Sequence, residues 1–248
     1  MSRVTETHST PDETPAESWP IPIPKHDRYD PEARLMPVLR LVFWLYKTLL
    51  VRSVRVIGKE NDVAGPRILV SNHARVSDPF LLPFVLGDYR GLAQIESFTI
   101  PFFGWLLARA GQIPITPGRG REAMARAEEQ LGKGRTILIY PEGRLTHGAQ
   151  MIRAKTGMAR LAYQSGAPIL PVAVHVPERF CRAVHGQMYG RPTIGVWQVG
   201  GTAWIAVGEP WSPFAGQESV SASDLRRVTD EAMARVRRLL EQAQASAG

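Results

Sequence analysis

A single cysteine, Cys181, stands among 248 residues, which excludes an intrachain disulfide and any cysteine-rich metal site. The six histidines fall in no recognisable zinc spacing, so no metal ion is expected. No Gly-x-Ser-x-Gly elbow occurs, and with it goes the usual route to a serine acyl-enzyme. The N-terminus has neither the basic n-region nor the apolar core of a secretory leader, and the expectation is a protein at the cytoplasmic face of a membrane or in the cytosol. Internal repeats are absent. No recognised nucleic-acid motif accompanies the positive charge, so no nucleic-acid partner is expected.

What charge there is lies unevenly. Residues 1–30 hold three basic and six acidic residues, whereas residues 31–248 hold 27 basic against 17 acidic, a net of +10. A basic folded part suits an anionic partner such as a phosphorylated substrate, an acidic carrier or a membrane surface. The first thirty residues are rich in Pro, Thr, Ser and Glu and lack the apolar surface that would offset chain ordering, so they read as a flexible tail. Character then changes sharply. Leu35 to Val51 is almost wholly apolar and includes Phe43, Trp44 and Tyr46, with Arg40 and Lys47 two helical turns apart on one face. This run is shorter than the roughly 20 residues a spanning helix needs and carries two internal charges. Two readings stay open: an in-plane helix at a membrane interface, or a core helix whose two cations snorkel to the surface.

Beyond it, strand-like and helical signals alternate. Residues 54–58, 67–70, 136–140, 169–176 and 204–207 read as strands, the central ones apolar throughout as strands buried on both faces are. Residues 79–85, 121–131, 157–164 and 221–244 read as helices, the last with Leu225, Val228, Ala232, Val236 and Leu239 on one side. The pattern predicts an α/β fold with a largely parallel central sheet flanked by helices, preceded by a membrane-interface helix. The organisation expected is a tail over 1–30, an interfacial helix over 31–52 and one catalytic-sized domain over 53–248.

Two short stretches carry chemistry. Asn72-His73-Ala74-Arg75-Val76-Ser77-Asp78-Pro79 follows the strand at 67–70. Histidine is the side chain best suited to take and return a proton near neutral pH, and a nearby carboxylate can fix its tautomer and stabilise its cation. In a regular helix a spacing of five would hold the two side chains apart. They approach if His73 lies in a loop and Asp78 opens the next helix as N-cap, with Pro79 at its first position. The alternative is a plain capping aspartate and a polar loop histidine. Tyr140-Pro141-Glu142-Gly143-Arg144 ends the strand at 136–140, where open α/β sheets bind ligands. An arginine there can hold a phosphate and Gly143 lets the backbone approach closely; a tight turn with Arg144 solvated is the alternative.

Together these blocks resemble the glycerolipid acyltransferase family that includes the 1-acylglycerol-3-phosphate acyltransferases. Its histidine-x4-aspartate signature, usually preceded by asparagine, matches Asn72-His73 through Asp78. Its second block is similar to Ile100-Pro101-Phe102-Phe103-Gly104-Trp105 followed by Gly111-Gln112-Ile113-Pro114-Ile115. Pro141-Glu142-Gly143 matches the third block, Lys155-Thr156-Gly157 a lysine-x-glycine element, and Ile169-Leu170-Pro171-Val172 the fourth block. The likeness covers residues 50–210 in the expected order. Two departures stand out. The family's phosphate-binding arginine after the second block is replaced by Pro117, with Arg119 and Arg121 nearby. The third block has Arg144 directly after Gly143, then Leu145-Thr146, a variant resembling members that act on lysophosphatidylethanolamine or other lyso-lipids.

The resemblance implies a membrane-associated enzyme that moves a fatty acyl group from an acyl thioester to a hydroxyl of a lysophospholipid. His73 would be the base and Asp78 its orienting partner. Asn72, Arg119, Glu142, Gly143, Arg144 and Lys155 would contact the acceptor, and Phe102, Phe103 and Trp105 the acyl chain, unless those aromatics are core or membrane contacts. No bound cofactor is implied; acyl-coenzyme A or acyl carrier protein would be the donor. Other lipid acceptors, among them glycolipids and amino-acid lipids, and a non-catalytic lipid-binding role are the rival readings. His147 near the third block reads as a headgroup contact or a solvated loop residue, and His175 as structural.

Overall fold

The computed structural model describes residues 29–146, 151–188 and 191–248. The tail expected over the first residues lies outside that range up to residue 28, as does His147.

Nine strands and seven helices are described. The strands are β1 Ser53–Ile57, β2 Ile68–Ser71, β3 Tyr89–Gln94, β4 Ile113–Ile115, β5 Thr136–Ile139, β6 Ile169–His175, β7 Cys181–Met188, β8 Arg191–Gln198 and β9 Thr202–Val207. The helices are α1 Met36–Leu50, α2 Asp78–Leu81, α3 Pro83–Leu86, α4 Phe103–Arg109, α5 Gly120–Gly132, α6 Gly157–Ser165 and α7 Ala222–Ala245. Seven strands form one sheet in the order β1-β9-β6-β2-β5-β3-β4, and β7 pairs with β8 in a separate hairpin. From β6 to β4 the strands run parallel; β9 lies antiparallel to β6 and carries β1 parallel to itself. The largely parallel α/β architecture expected from the sequence is therefore the one observed. The reversal at β9 follows from its connection: the chain leaves β6 through the β7–β8 hairpin and returns without a crossover helix, which a parallel neighbour would need.

The central strands are apolar at every position because both faces are covered. Ile68, Val70, Ile137, Ile139 and Ile169 face a core with the buried sides of α5, α6 and α7. The alternating Leu69, Leu138, Leu170, Val172 and Val174 face the opposite core under α2 and α3. A third apolar layer joins α1 to α4: Met36, Leu39 and Phe43 pack with Phe80, Phe98, Leu106 and Leu107. Ser221 opens α7 with a capping box, its side chain accepting from Asp224 N while Asp224 Oδ2 accepts from Ser221 N.

The helix expected over 79–85 is two short helices. Ser77, not Asp78, holds the N-cap position, and Asp78 sits inside the first turn. Pro83, which has no N–H to donate back, starts a second helix at α3. Helix α1 lies within the 31–52 span, and one of its faces is part of the core. Its other face exposes Val38, Leu41, Trp44, Leu45 and Leu49, the last at 75%. Arg40 on the polar flank pairs with Asp88 at 3.4 Å. Among the described residues no helix is long and apolar enough to cross a membrane.

The turn into α4 is tight. Phe102 adopts φ +58° with its side chain 89% exposed, and Gly104 lies so close to Phe98 that an added Cβ would sit 2.1 Å from its carbonyl oxygen. Gly104→Ala must push these backbones apart and should cost about 1–3 kcal/mol, read as a lower denaturant midpoint.

Candidate active site

Because β2 and β5 are parallel neighbours, the loops leaving their C-terminal ends meet. The loop after β2 carries His73 and leads into α2 with Asp78; the loop after β5 is Pro141 to Thr146. His73 Nδ1 lies 3.6 Å from Asp78 Oδ2, with the histidine side chain 19% exposed and the aspartate 0%. That separation is an ion-pair distance, slightly longer than a hydrogen bond. The pair leaves Nδ1 turned inward toward a carboxylate, and a ring protonated there would present Nε2 as the acceptor. Asp78 Oδ2 also accepts from Arg75 N at 2.8 Å, closing the turn that brings the carboxylate back toward the ring.

His73 is held on three sides. Its ring stacks on Tyr140 at 3.9 Å between centroids and 14° between planes. Its N–H donates to Glu142 Oε1 at 3.2 Å. Its carbonyl accepts from Thr146 N at 3.0 Å and Thr146 Oγ1 at 3.3 Å. The other Glu142 oxygen accepts from Ile152 N at 3.1 Å. Glu142 is only 3% exposed. Burial pushes its carboxyl above the ordinary value of 4.5, while the two N–H donors and the His73 ring pull it down without cancelling that effect.

The substrate-binding expectations meet mixed outcomes. Asn72 is buried, donating from Nδ2 to Val174 O at 3.0 Å and accepting at Oδ1 from Val174 N at 2.9 Å, so it continues the β2–β6 ladder by side chain. Asn72 and Glu142 thus bond their side-chain polar atoms to backbone groups of β6 and of the two site loops. Gly143 adopts φ +69°, a conformation that favours glycine, and its carbonyl accepts from Gln94 Nε2 at 2.6 Å. Lys155 donates its backbone N–H to Pro141 O and runs its side chain past Gly143. Arg144 is exposed beside it. Arg119, by contrast, flanks α5 after β4 and pairs with Glu122 at 3.7 Å. Strand β4 lies three places from β2, about 14 Å at the usual strand spacing, so Arg119 is not brought to His73 by the sheet. Phe103 packs near Phe80, with ring centroids 6.0 Å apart, whereas Phe102 and Trp105 face outward.

The stacking Tyr140, the bridging Thr146 and the Gln94 contact had no role in the sequence reading, although Tyr140 directly precedes the third block and Thr146 lies three residues beyond its glycine. His175, at the end of β6, is half-buried, and burial with Arg75 nearby pushes its imidazole below the ordinary value. Cys181 Sγ accepts from Arg75 Nε at 3.0 Å. Among the described residues no group of three His, Cys, Asp or Glu side chains gathers to hold a metal ion.

A histidine–carboxylate pair thus stands at the C-terminal end of a largely parallel α/β sheet, with the exposed Arg144 on the adjoining loop. Residues 53–175 match the family model described as Acyltransferase. The chain is similar to the 1-acyl-sn-glycerol-3-phosphate acyltransferase of Pseudomonas aeruginosa, 32% identical over 141 residues that make up 54% of each chain. The enzyme of the same name from Saccharomyces cerevisiae is 29% identical over 146 residues, 54% of this chain and 47% of the other. A lyso-ornithine lipid O-acyltransferase of P. aeruginosa is 33% identical over 140 residues, 54% and 53% respectively. The chain spans about half the length of these curated relatives. The fold is like that of the 1-acyl-sn-glycerophosphate acyltransferase crystal structure from Thermotoga maritima, with a TM-score of 0.60 at 23% identity, covering 84% of this chain and 78% of that one.

Tyr140 Oη is buried without a partner. Tyr140→Phe should therefore leave stability unchanged or raise it by about 1 kcal/mol, whereas Tyr140→Ala should lower it by about 3–5 kcal/mol, both read by denaturant unfolding. For Glu142 the sign follows from its raised value: the folded state binds this proton more readily than the unfolded chain, so its contribution is complete below 4.5 and is lost as pH rises through the folded value. The stability of the wild type relative to Glu142→Gln should grow as pH falls from 7 and level off near 4.5; a difference independent of pH would contradict the assignment.

Proposed function

We propose that the protein is an O-acyltransferase that moves a fatty acyl group from an acyl thioester to a hydroxyl of a lysophospholipid-type acceptor at a membrane surface. The observation that carries this reading is the inward-facing Nδ1 of His73 beside the fully buried Asp78, which leaves Nε2 available to a substrate hydroxyl.

In this mechanism Nε2 removes the acceptor's hydroxyl proton as the oxygen attacks the thioester carbonyl. Asp78 stabilises the imidazolium that results, and Tyr140 with the backbone clamp keeps the ring in place. The tetrahedral intermediate collapses by breaking its carbon–sulfur bond, and the leaving thiolate takes the proton back from Nε2. Coenzyme A or acyl carrier protein departs as the free thiol, and the acceptor leaves as its ester. Arg144 and Lys155 beside the Gly143 turn suit an anionic headgroup, fixing the hydroxyl near the thioester. The exposed apolar face of α1, with Phe102 and Trp105, suits the cytoplasmic face of a membrane as a peripheral contact.

A second acceptor class has an observation of its own. Pro117 stands where the resembling family carries a phosphate-binding arginine, and a relative named for lyso-ornithine lipid is as similar as those named for 1-acylglycerol-3-phosphate. An amino-acid lipid is therefore the alternative acceptor. The test is free-thiol release from palmitoyl-coenzyme A, then from palmitoyl acyl carrier protein, across lysophosphatidic acid, lysophosphatidylethanolamine and lyso-ornithine lipid. Wild type should show acceptor-dependent release, and His73→Ala should lose about 10²–10⁴-fold. Silence of the folded wild type with both donors would leave a non-catalytic lipid-binding role.

A further inference from the structure

Helix α1 turns its apolar side outward, and its inner side is bonded to the loop that carries Asp78. Tyr46 Oη donates to Gln198 O at 2.5 Å, and Gln198 N donates to Ser77 Oγ at 3.2 Å. Val76 N donates to Val196 O at 2.9 Å. Ser77 immediately precedes Asp78. On the other side of the Asp78-Pro79 pair, Phe80 is gripped by rings: Phe43 stacks on it at 4.5 Å, and Tyr46 and Trp197 meet it edge-on at 5.2 and 5.6 Å. Both residues that flank the catalytic turn therefore rest on α1, directly or through β8.

The same junction holds polar atoms that have not found partners. His73 Nδ1, Asp78 Oδ1 and Gln198 Oε1 are all buried without a hydrogen bond. Buried polar groups are normally paired, so three orphans around one turn mark an arrangement whose best bonding is not made in this form. The gap from His73 Nδ1 to Asp78 Oδ2, 3.6 Å, is about 0.5 Å too long for a hydrogen bond. A small shift of α2 would close it, and α2 is attached to α1.

We propose that Tyr46 is a positioning residue through which the seating of α1 on a lipid surface draws Asp78 into hydrogen-bonding distance of His73. Resting on the acyl-transfer reading above, this makes catalysis faster at a surface than on the same substrates in solution. Tyr46→Phe keeps the ring contacts with Phe80 and Trp197 and removes only the hydroxyl, which ties α1 to Gln198 on β8 and to the Ser77 side chain.

The experiment uses the full chain, octanoyl-coenzyme A and a short-chain lysophospholipid below its aggregation concentration, with and without inert vesicles of phosphatidylcholine and phosphatidylglycerol at three to one. For wild type, vesicles should raise kcat about tenfold, the worth of one charge-assisted hydrogen bond, with KM for the thioester unchanged. Tyr46→Phe should sediment with vesicles as wild type does yet lose most of that rise. In parallel, the His73 imidazole resonance, identified by its absence in His73→Ala, should shift on addition of bicelles of the same lipids in wild type and not in Tyr46→Phe. Equal stimulation of both proteins, or a His73 resonance that responds equally or not at all, overturns the coupling. Acyl transfer without surface stimulation would sink the coupling alone. A Tyr46-dependent shift in a protein that transfers no acyl group would sink the acyl-transfer reading and keep the coupling.

Discussion

Everything at this site depends on the two-ended grip on the backbone of His73. Its N–H is taken by Glu142 and its carbonyl by Thr146, so the loop after β5 holds the loop after β2 on both sides of the His73 Cα. Each such bond contributes about 1 kcal/mol net. Their larger effect is geometric, since a base displaced by an ångström loses its reach. The grip requires β2 and β5 to be adjacent and parallel, for only then do their C-terminal ends open on the same side. It also requires a buried carboxylate, because an acceptor with two free oxygens can serve His73 N and Ile152 N at once. Burial raises the cost of that charge, and the raised Glu142 value is the trace of that cost.

The sheet supplies the stiffness that makes the grip useful. Central strands covered on both faces cannot slip by one residue without turning each isoleucine layer into the leucine layer opposite. Asn72 extends the ordering past the end of β2 by pairing its amide with Val174 as a strand residue would. His73 is thus the first residue beyond a ladder that side-chain bonding has lengthened by one step. The outer side of the site is solvated, with the exposed Arg144 on its loop and the apolar face of α1 meeting solvent.

Much of this was legible in the chain, for reasons that differ by element. Strands β2, β5 and β6 announce themselves because two-sided burial leaves no polar position, and α5 and α7 because one-sided burial leaves a helical period. Strand β3, Tyr-Arg-Gly-Leu-Ala-Gln, was missed since its polar residues find specific partners: Gly91 N donates to Gln112 Oε1, so polarity there does not mean exposure. The β7–β8 hairpin was missed because it stands off the sheet with much of its surface solvated, giving neither alternation nor an apolar run. In the site, the residue types of the proton-transfer pair were readable, but their supports were not. Tyr140 supports His73 through a stacking geometry and Thr146 through backbone contacts, and neither leaves a spacing rule in a single sequence. The backbone bonds of the Asn72 and Glu142 side chains were equally hidden, because they join residues far apart in the chain.

The division between stiff centre and solvated rim bears on the acceptor. The relative named for lyso-ornithine lipid and the one named for 1-acylglycerol-3-phosphate from the same organism are almost equally identical to this chain, at 33% and 32%. Overall identity therefore does not separate the two headgroups. Headgroup choice must rest on the few side chains at the rim. Replacing an arginine by Pro117 removes a fixed, always charged fork from the β4 side of the sheet. Placing Arg144 directly after Gly143 puts one on the β5 loop, against the turn that Lys155 crosses. Positive charge thereby stands on the same loop that grips the His73 backbone.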